Sequence, residues 1–176
     1  MEASKANETL ASLTGLEGPV FIRKLTRKSH WGVEGTTLDA RLSVALHSIF
    51  DESEKVFSFY RAETVPQLAQ IAIGLNSKRS SLKENIDFVP FSEHELKMLD
   101  LELINTPGET NCYAANSLHF DIRAEIQSLA ELCRIAMQNK RTAARLSKSW
   151  IEQKLREPRF SRCFAISSVP NNCDCV

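Results

Sequence analysis

The sequence is short of net charge, of long apolar runs and of the short motifs that announce common chemistries. Lysine plus arginine and aspartate plus glutamate each number 22, so the formal net charge is zero. A chain so balanced carries no global electrostatic case for nucleic acid. No apolar run approaches the roughly 18–20 residues needed to cross a bilayer, and the start, MEASKANETLASLTGLEG, lacks the apolar core of a secretory signal. There is no Walker loop, no G-x-G-x-x-G, no G-x-S-x-G, no C-x-x-C pair and no H-E-x-x-H. Internal repeats and low-complexity runs are also absent.

Cysteine is present but not as a framework. Cys112, Cys133, Cys163, Cys173 and Cys175 are odd in number and irregularly spaced, which argues against a secreted disulfide scaffold and suits reduced thiols. The expected location is the cytoplasm. Composition is that of a globular protein, 43% hydrophobic and 25% charged. A chain of 176 residues can bury a core without metals or disulfides to hold it.

The strongest fold signal is Val56–Leu75, VFSFYRAETVPQLAQIAIGL. Val56, Phe57, Phe59 and Tyr60 suit a packed strand. Thr64 is placed to cap a helix, Pro66 falls in its first turn, and Leu68, Ile71, Ala72 and Leu75 line one face. Before it, VFIRKL at 20–25 reads as a strand, and a helix from Thr37 or Asp39 to about Phe50 follows the basic turn TRKSHWG. After it, Asp87–Phe91 is extended, with Pro90 marking an edge or a strand end. Ser92 and Glu95 have the spacing of a capping box for a short helix ending near Leu99, and Leu101–Ile104 is a brief strand. Residues 109–118 show no period. Helical spacing returns from about Arg123 with Ile126, Leu129, Ala130, Cys133 and Met137 on one face, and a second helix is expected over Thr142–Glu157, stopped by Pro158. Residues 159–166 add a last extended piece.

The expected class is α+β, a small mixed sheet of short strands packed with helices and a helical C-terminal third. The expected organisation is a flexible leader over 1–18 with a weak helix around Thr9–Leu13, a single domain over 19–166 whose helical segment is 121–157, and a flexible tail over 167–176.

Three groups of residues carry chemistry worth testing. Cys112, His119 and Asp121 fall close together and have the types of a nucleophile, a base and an orienting carboxylate, without a local signature that would fix them as catalytic. Cys173-Asp-Cys175 lacks the second pair a zinc site needs, so neither a metal nor a cofactor is expected. Charge, although balanced overall, is uneven. Lys140, Arg141, Arg145, Lys148, Lys154, Arg156, Arg159 and Arg162 face only Glu152 and Glu157, and Arg23, Lys24, Arg27 and Lys28 form a second cluster near Trp31. These cations can meet an outside partner, or they can pack on the chain's own acidic span, Asp87–Glu125. The expected function is protein binding by an accessory or regulatory component of a bacterial cytoplasmic system, through Arg27, Lys28, Trp31, Arg141, Arg145, Lys148 and Trp150. Nucleic-acid binding by the same residues, or a small enzyme using Cys112 and His119, are the alternatives; no membrane partner is expected.

Overall fold

Strands whose two alternating phases are both apolar must be covered on both faces, and the first strand here is of that kind. Val20 and Ile22 enter one core while Phe21 enters another. The computed structural model describes residues 8–25, 28–31, 37–49, 56–77, 85–110 and 112–160. In chain order its elements are α1 (Leu10–Thr14), β1 (Val20–Lys24), a 3-10 turn (Lys28–His30), α2 (Leu38–Ile49), β2 (Phe57–Ala62), α3 (Val65–Ser77), β3 (Ile86–Ser92), α4 (Glu93–Met98), β4 (Glu102–Asn105), α5 (Tyr113–Ser117), β5 (His119–Arg123), α6 (Ile126–Gln138), β6 (Ala144–Leu146) and α7 (Lys148–Leu155). The six strands form one sheet in the order β4-β5-β2-β1-β3-β6, and every pairing is antiparallel. The class is α+β. Among the described residues no helix is long and apolar enough to cross a membrane.

Helices cover both faces. On one, Val20, Ile22, Ile86, Phe88 and Leu146 meet Leu68, Ile71 and Ala72 of α3, Ala114 and Ala115 of α5 and Ile151 of α7. On the other, Phe21, Phe59, Val89, Phe91 and Ile122 meet Leu42, Ala45 and Ile49 of α2, Leu96 of α4, and Leu129, Leu132, Cys133 and Ala136 of α6. Arg23, one of two cations in β1, has a structural use. Arg23 Nε and Nη2 donate to the Ile49 carbonyl at 2.9 and 2.7 Å, which places a positive charge at the C-terminus of α2.

Several expectations are corrected. In the segment expected as a flexible leader, residues 1–7 lie outside the description. From there on, the helix expected around Thr9–Leu13 is α1, with Thr9 and Ser12 as its capping box, but Leu10, Leu13 and Leu16 pack on the first core instead of staying free. Apolar side chains at this spacing gain more by burial than a free segment would. The helix expected over 142–157 begins only at Lys148, where Ser147 Oγ accepts the Trp150 N–H at 3.1 Å. Ala144–Leu146 pairs with Ile86–Phe88 instead. The patternless stretch and the expected helix start at Arg123 hide α5 and β5. In α6 the buried face includes Leu132 and Ala136, while Ile126 is exposed.

Pro90 sits in an interior strand, yet its missing N–H costs no ladder bond. Leu25 N–H donates to the Asp87 carbonyl, so the odd-numbered residues of β3 face β1 and Pro90 faces outward. β6 reaches only as far as Phe88 on that side. The extended piece expected over 159–166 lies beyond the described residues after Phe160, which is fully buried. Cys163, Cys173 and Cys175 also lie outside them.

Close approach of α3 to α5 fixes one glycine. A Cβ at Gly74 would fall 2.7 Å from Ala115 Cβ and 2.9 Å from Thr110 Oγ1. In an open helix Gly→Ala stabilises by about 1 kcal/mol; here overpacking of about 1–3 kcal/mol opposes it. Gly74→Ala is therefore expected to lower the urea midpoint, and a raised midpoint would show that the two helices are not in contact.

Candidate functional site

The two-residue period of β2 and β5 sets one row of polar side chains on the α3 face. Phe57 and Phe59 enter the second core, leaving Ser58 and Tyr60 on the opposite face, and the register places Ser58 across from Asp121 and Tyr60 across from His119. Asp121 accepts from Ser58 Oγ at 3.1 Å and from Thr106 Oγ1 at 2.7 Å. His119 Nδ1 lies 2.9 Å from the Thr106 carbonyl and 3.1 Å from Thr106 Oγ1, so this nitrogen carries the proton that the carbonyl accepts. The other nitrogen, Nε2, stands 3.8 Å from Asp121 Oδ1, beyond hydrogen-bond range. The Tyr60 ring meets the imidazole edge-on at 5.0 Å. Burial pushes the Tyr60 phenol up to about 12, against the nearby Arg23 charge and with help from Asp121 and Cys112. It is a neutral hydroxyl at any ordinary pH.

His119 and Asp121 are thus gathered into one network, but not as a nucleophile's base and its orienting group. The carboxylate is held by two hydroxyls, and the imidazole is oriented by a backbone carbonyl. Cys112 is 0% exposed and packs with Ala114 and Ala115 in the first core. Its N–H donates to Thr110 Oγ1 at 3.2 Å, and Thr110 is in turn locked to Asn116 by bonds of 2.7 and 2.8 Å. Reactive cysteines sit in partly exposed, electropositive surroundings; Cys112 does not. Among the described residues no group of three or more His, Cys, Asp or Glu side chains is placed to hold a metal ion.

Of the residues expected to bind a partner, Trp31 and Arg141 are turned inward, while Lys28, Arg145 and Lys148 remain exposed. Trp31 is 3% exposed, meets Phe91 edge-on at 6.1 Å, and donates Nε1–H to the Arg141 carbonyl at 2.8 Å. Arg141 Nη2 bonds Glu95 at 2.8 Å, with the two side chains 12% and 3% exposed. Arg145 makes a two-pronged contact with Asp87, 2.6 Å from Nε and 2.8 Å from Nη2, and the Lys28 backbone N–H donates to the same carboxylate at 2.8 Å. Lys148 pairs with Glu152 at 3.5 Å. Trp150 is half-buried and donates Nε1–H to Glu8, which also pairs with Lys154 at 2.8 Å. Arg27 lies outside the described residues. The acidic span Asp87–Glu125 is therefore where the two arginines go. Glu95 lies 46 residues from Arg141 and Asp87 lies 58 from Arg145, so no local pattern could have named the partners.

These pairs set an acid limit. For Glu95, burial works against the ionised form, but the Ser92 N–H and Arg141 outweigh it and lower the pKa. For Asp87 the Arg145 hydrogen bond leads, and burial opposes it. For Glu8, burial opposes and the Lys154 and Trp150 bonds win. A carboxylate with a lowered folded pKa adds stability that is complete above its unfolded value and is lost as pH falls through the folded one. Thermal midpoints are expected to be level above about pH 5 and to drop below about pH 4, with a shallower drop in Glu95→Gln. An equally steep drop in that variant would remove Glu95 from the account.

The sheet ends differ in a way the sequence does not announce. At one end, β6 is flanked by α1. At the other, β4 is the last strand among the described residues and packs chiefly on β5. Thr106 N–H donates to the His119 carbonyl at 3.3 Å, which makes residues 106, 104 and 102 the ones whose backbone groups face β5. By the same alternation, the N–H and C=O of Leu103 and Asn105 face away from the sheet. Ile104 is half-buried and belongs to neither core cluster. Compared with known proteins, the chain matches no family model, no curated protein and no solved structure.

Proposed function

We propose that this chain is a protein-binding module, an accessory or regulatory component of a bacterial cytoplasmic system, which takes its partner as an extra strand along β4. The contrast between the two ends of the sheet carries this reading. One end is flanked by a helix; the other presents aligned donors and acceptors at Leu103 and Asn105 beside an apolar side chain that the cores do not use. In strand addition the main chain supplies affinity and alternate side chains supply specificity. The internal pairing of Arg141 and Arg145 supports protein over nucleic acid, because phosphate binding needs cations left over for the ligand. The burial of Cys112 speaks against a thiol enzyme.

The test is capture of partners from native cells by the tagged protein, with and without nuclease, in the wild type and in Ile104→Lys. A lysine in the middle of an edge strand is a device that blocks added strands, and at Ile104 it disturbs neither core. The expected result is a captured protein that survives nuclease and disappears in Ile104→Lys. Loss of the captured material with nuclease, or capture unaffected by the lysine, would contradict the reading.

A further inference from the structure

Resting on the strand-addition reading, we infer that the strand received by β4 is the β4 of a second copy of this chain, paired antiparallel about a two-fold axis at Ile104. The argument starts from which backbone groups are spare. Leu101 N–H already donates to the Leu96 carbonyl at 3.3 Å, and Pro107 has no N–H to give. The usable outward donors of this edge are therefore those of Leu103 and Asn105.

A two-fold axis perpendicular to the sheet must set residues of like parity opposite each other, since opposed residues share a face. Centring the pair on Ile104 sets Leu103 of each copy against Asn105 of the other. Both residues face outward, so each such pair exchanges both of its hydrogen bonds, and every spare donor and acceptor at 103 and 105 is used on both copies. Centring on Leu103 instead sets Asn105 against Leu101, whose N–H is committed to Leu96, and leaves the Asn105 carbonyl without a donor. The edge is self-complementary in one register and not in the neighbouring one.

Side chains agree with the backbone. In the Ile104 register, two β-branched apolar side chains meet at a non-hydrogen-bonded position, where cross-strand contact is closest. Glu102 falls opposite Thr106 of the other copy rather than opposite a second Glu102, so no like charges are opposed. The formal net charge of zero adds no general repulsion between copies. β4 itself carries no lysine and no proline, the usual guards of an exposed edge. Pairing over so short a strand buries less than the roughly 1,200–2,000 Å² of stable complexes, so the association is weak and depends on concentration.

Cross-linking reads the register directly. Opposed residues at a non-hydrogen-bonded position have Cα atoms about 4.5 Å apart, within disulfide reach, whereas positions one residue to either side are displaced along the strand beyond it. In a background with Cys163, Cys173 and Cys175 replaced by serine, Ile104→Cys is expected to form a covalent dimer under mild oxidation, and Leu103→Cys is not. Sedimentation of the wild type is expected to show its mass rising toward twofold with concentration, and Ile104→Lys to stay monomeric. A wild type that remains monomeric at its highest soluble concentration, with no Ile104→Cys dimer, would overturn the inference, as would cross-linking equally strong at 103. The outcomes separate from those of the broader reading. If self-association fails while Ile104→Lys still abolishes capture of another protein, the second copy is wrong and the β4 edge stands; if both fail, the edge is not the interface.

Discussion

Replacing Glu95 by alanine is expected to cost about 3–5 kcal/mol of folding stability, as removal of one partner from a buried ion pair does. The carboxylate joins the start of α4 to the turn after α6. It accepts the Ser92 N–H at 2.8 Å and Ser92 Oγ at 3.0 Å at the start of α4, and it receives Arg141 at 2.8 Å from the turn after α6. Without it, a guanidinium that is 12% exposed keeps its charge and loses its counter-ion. Arg141 Nε has no hydrogen-bond partner even in the intact protein, so nothing nearby is ready to take over. The pair itself need not stabilise relative to apolar residues of similar size. The double variant Glu95→Leu with Arg141→Met is thus expected to recover most of the loss, and urea unfolding of the two singles and the double forms the cycle that measures it. A Glu95→Ala cost below about 1 kcal/mol, the range of exposed pairs, would mean that the pair is open to water.

Trp31→Ala is the second large effect, also about 3–5 kcal/mol. The indole is 3% exposed against Phe91, and its N–H is the partner of the Arg141 carbonyl. Alanine leaves a cavity and an unpaired carbonyl; Trp31→Phe keeps most of the packing and leaves only the carbonyl unpaired, at about 1–3 kcal/mol. Because Trp31 and Glu95 both act on Arg141, their losses are expected to be less than additive. The contrasting outcome is specific: a Trp31→Ala protein of unchanged stability that has lost its partner would restore Trp31 as a binding residue.

Much of the fold is legible locally. β1, β2, α3 and the Ser92–Glu95 capping box fall where alternation, helical spacing and cap chemistry put them. The failures share a cause, which is that non-local pairing decided the conformation. Ala144–Leu146 has charged neighbours compatible with a helix and becomes a strand because β3 offers it an edge, with Arg145 drawn to Asp87. His119–Arg123 alternates polar and apolar residues, a strand signal masked by the helix that follows it. α5 is five residues long with no side-chain cap, too short to leave a period. The candidate site was legible in its residue types and not in its geometry. His119 and Asp121 do meet, through Thr106, which no local rule connects to them. The basic C-terminal residues are visible as a cluster, but the counter-ions of Arg141 and Arg145 lie on distant elements. The β4 edge depends on strand order, and order is set by packing across the whole sheet.

The measurement that bears most directly on the β4 edge as the binding surface is amide hydrogen exchange at Leu103 and Asn105, read in dilute free protein and again under association. Both N–H groups face away from β5, so both are expected to exchange quickly in the free chain and to slow together on association, while Ile104→Lys leaves them fast. Association that leaves these two amides unprotected would contradict the account.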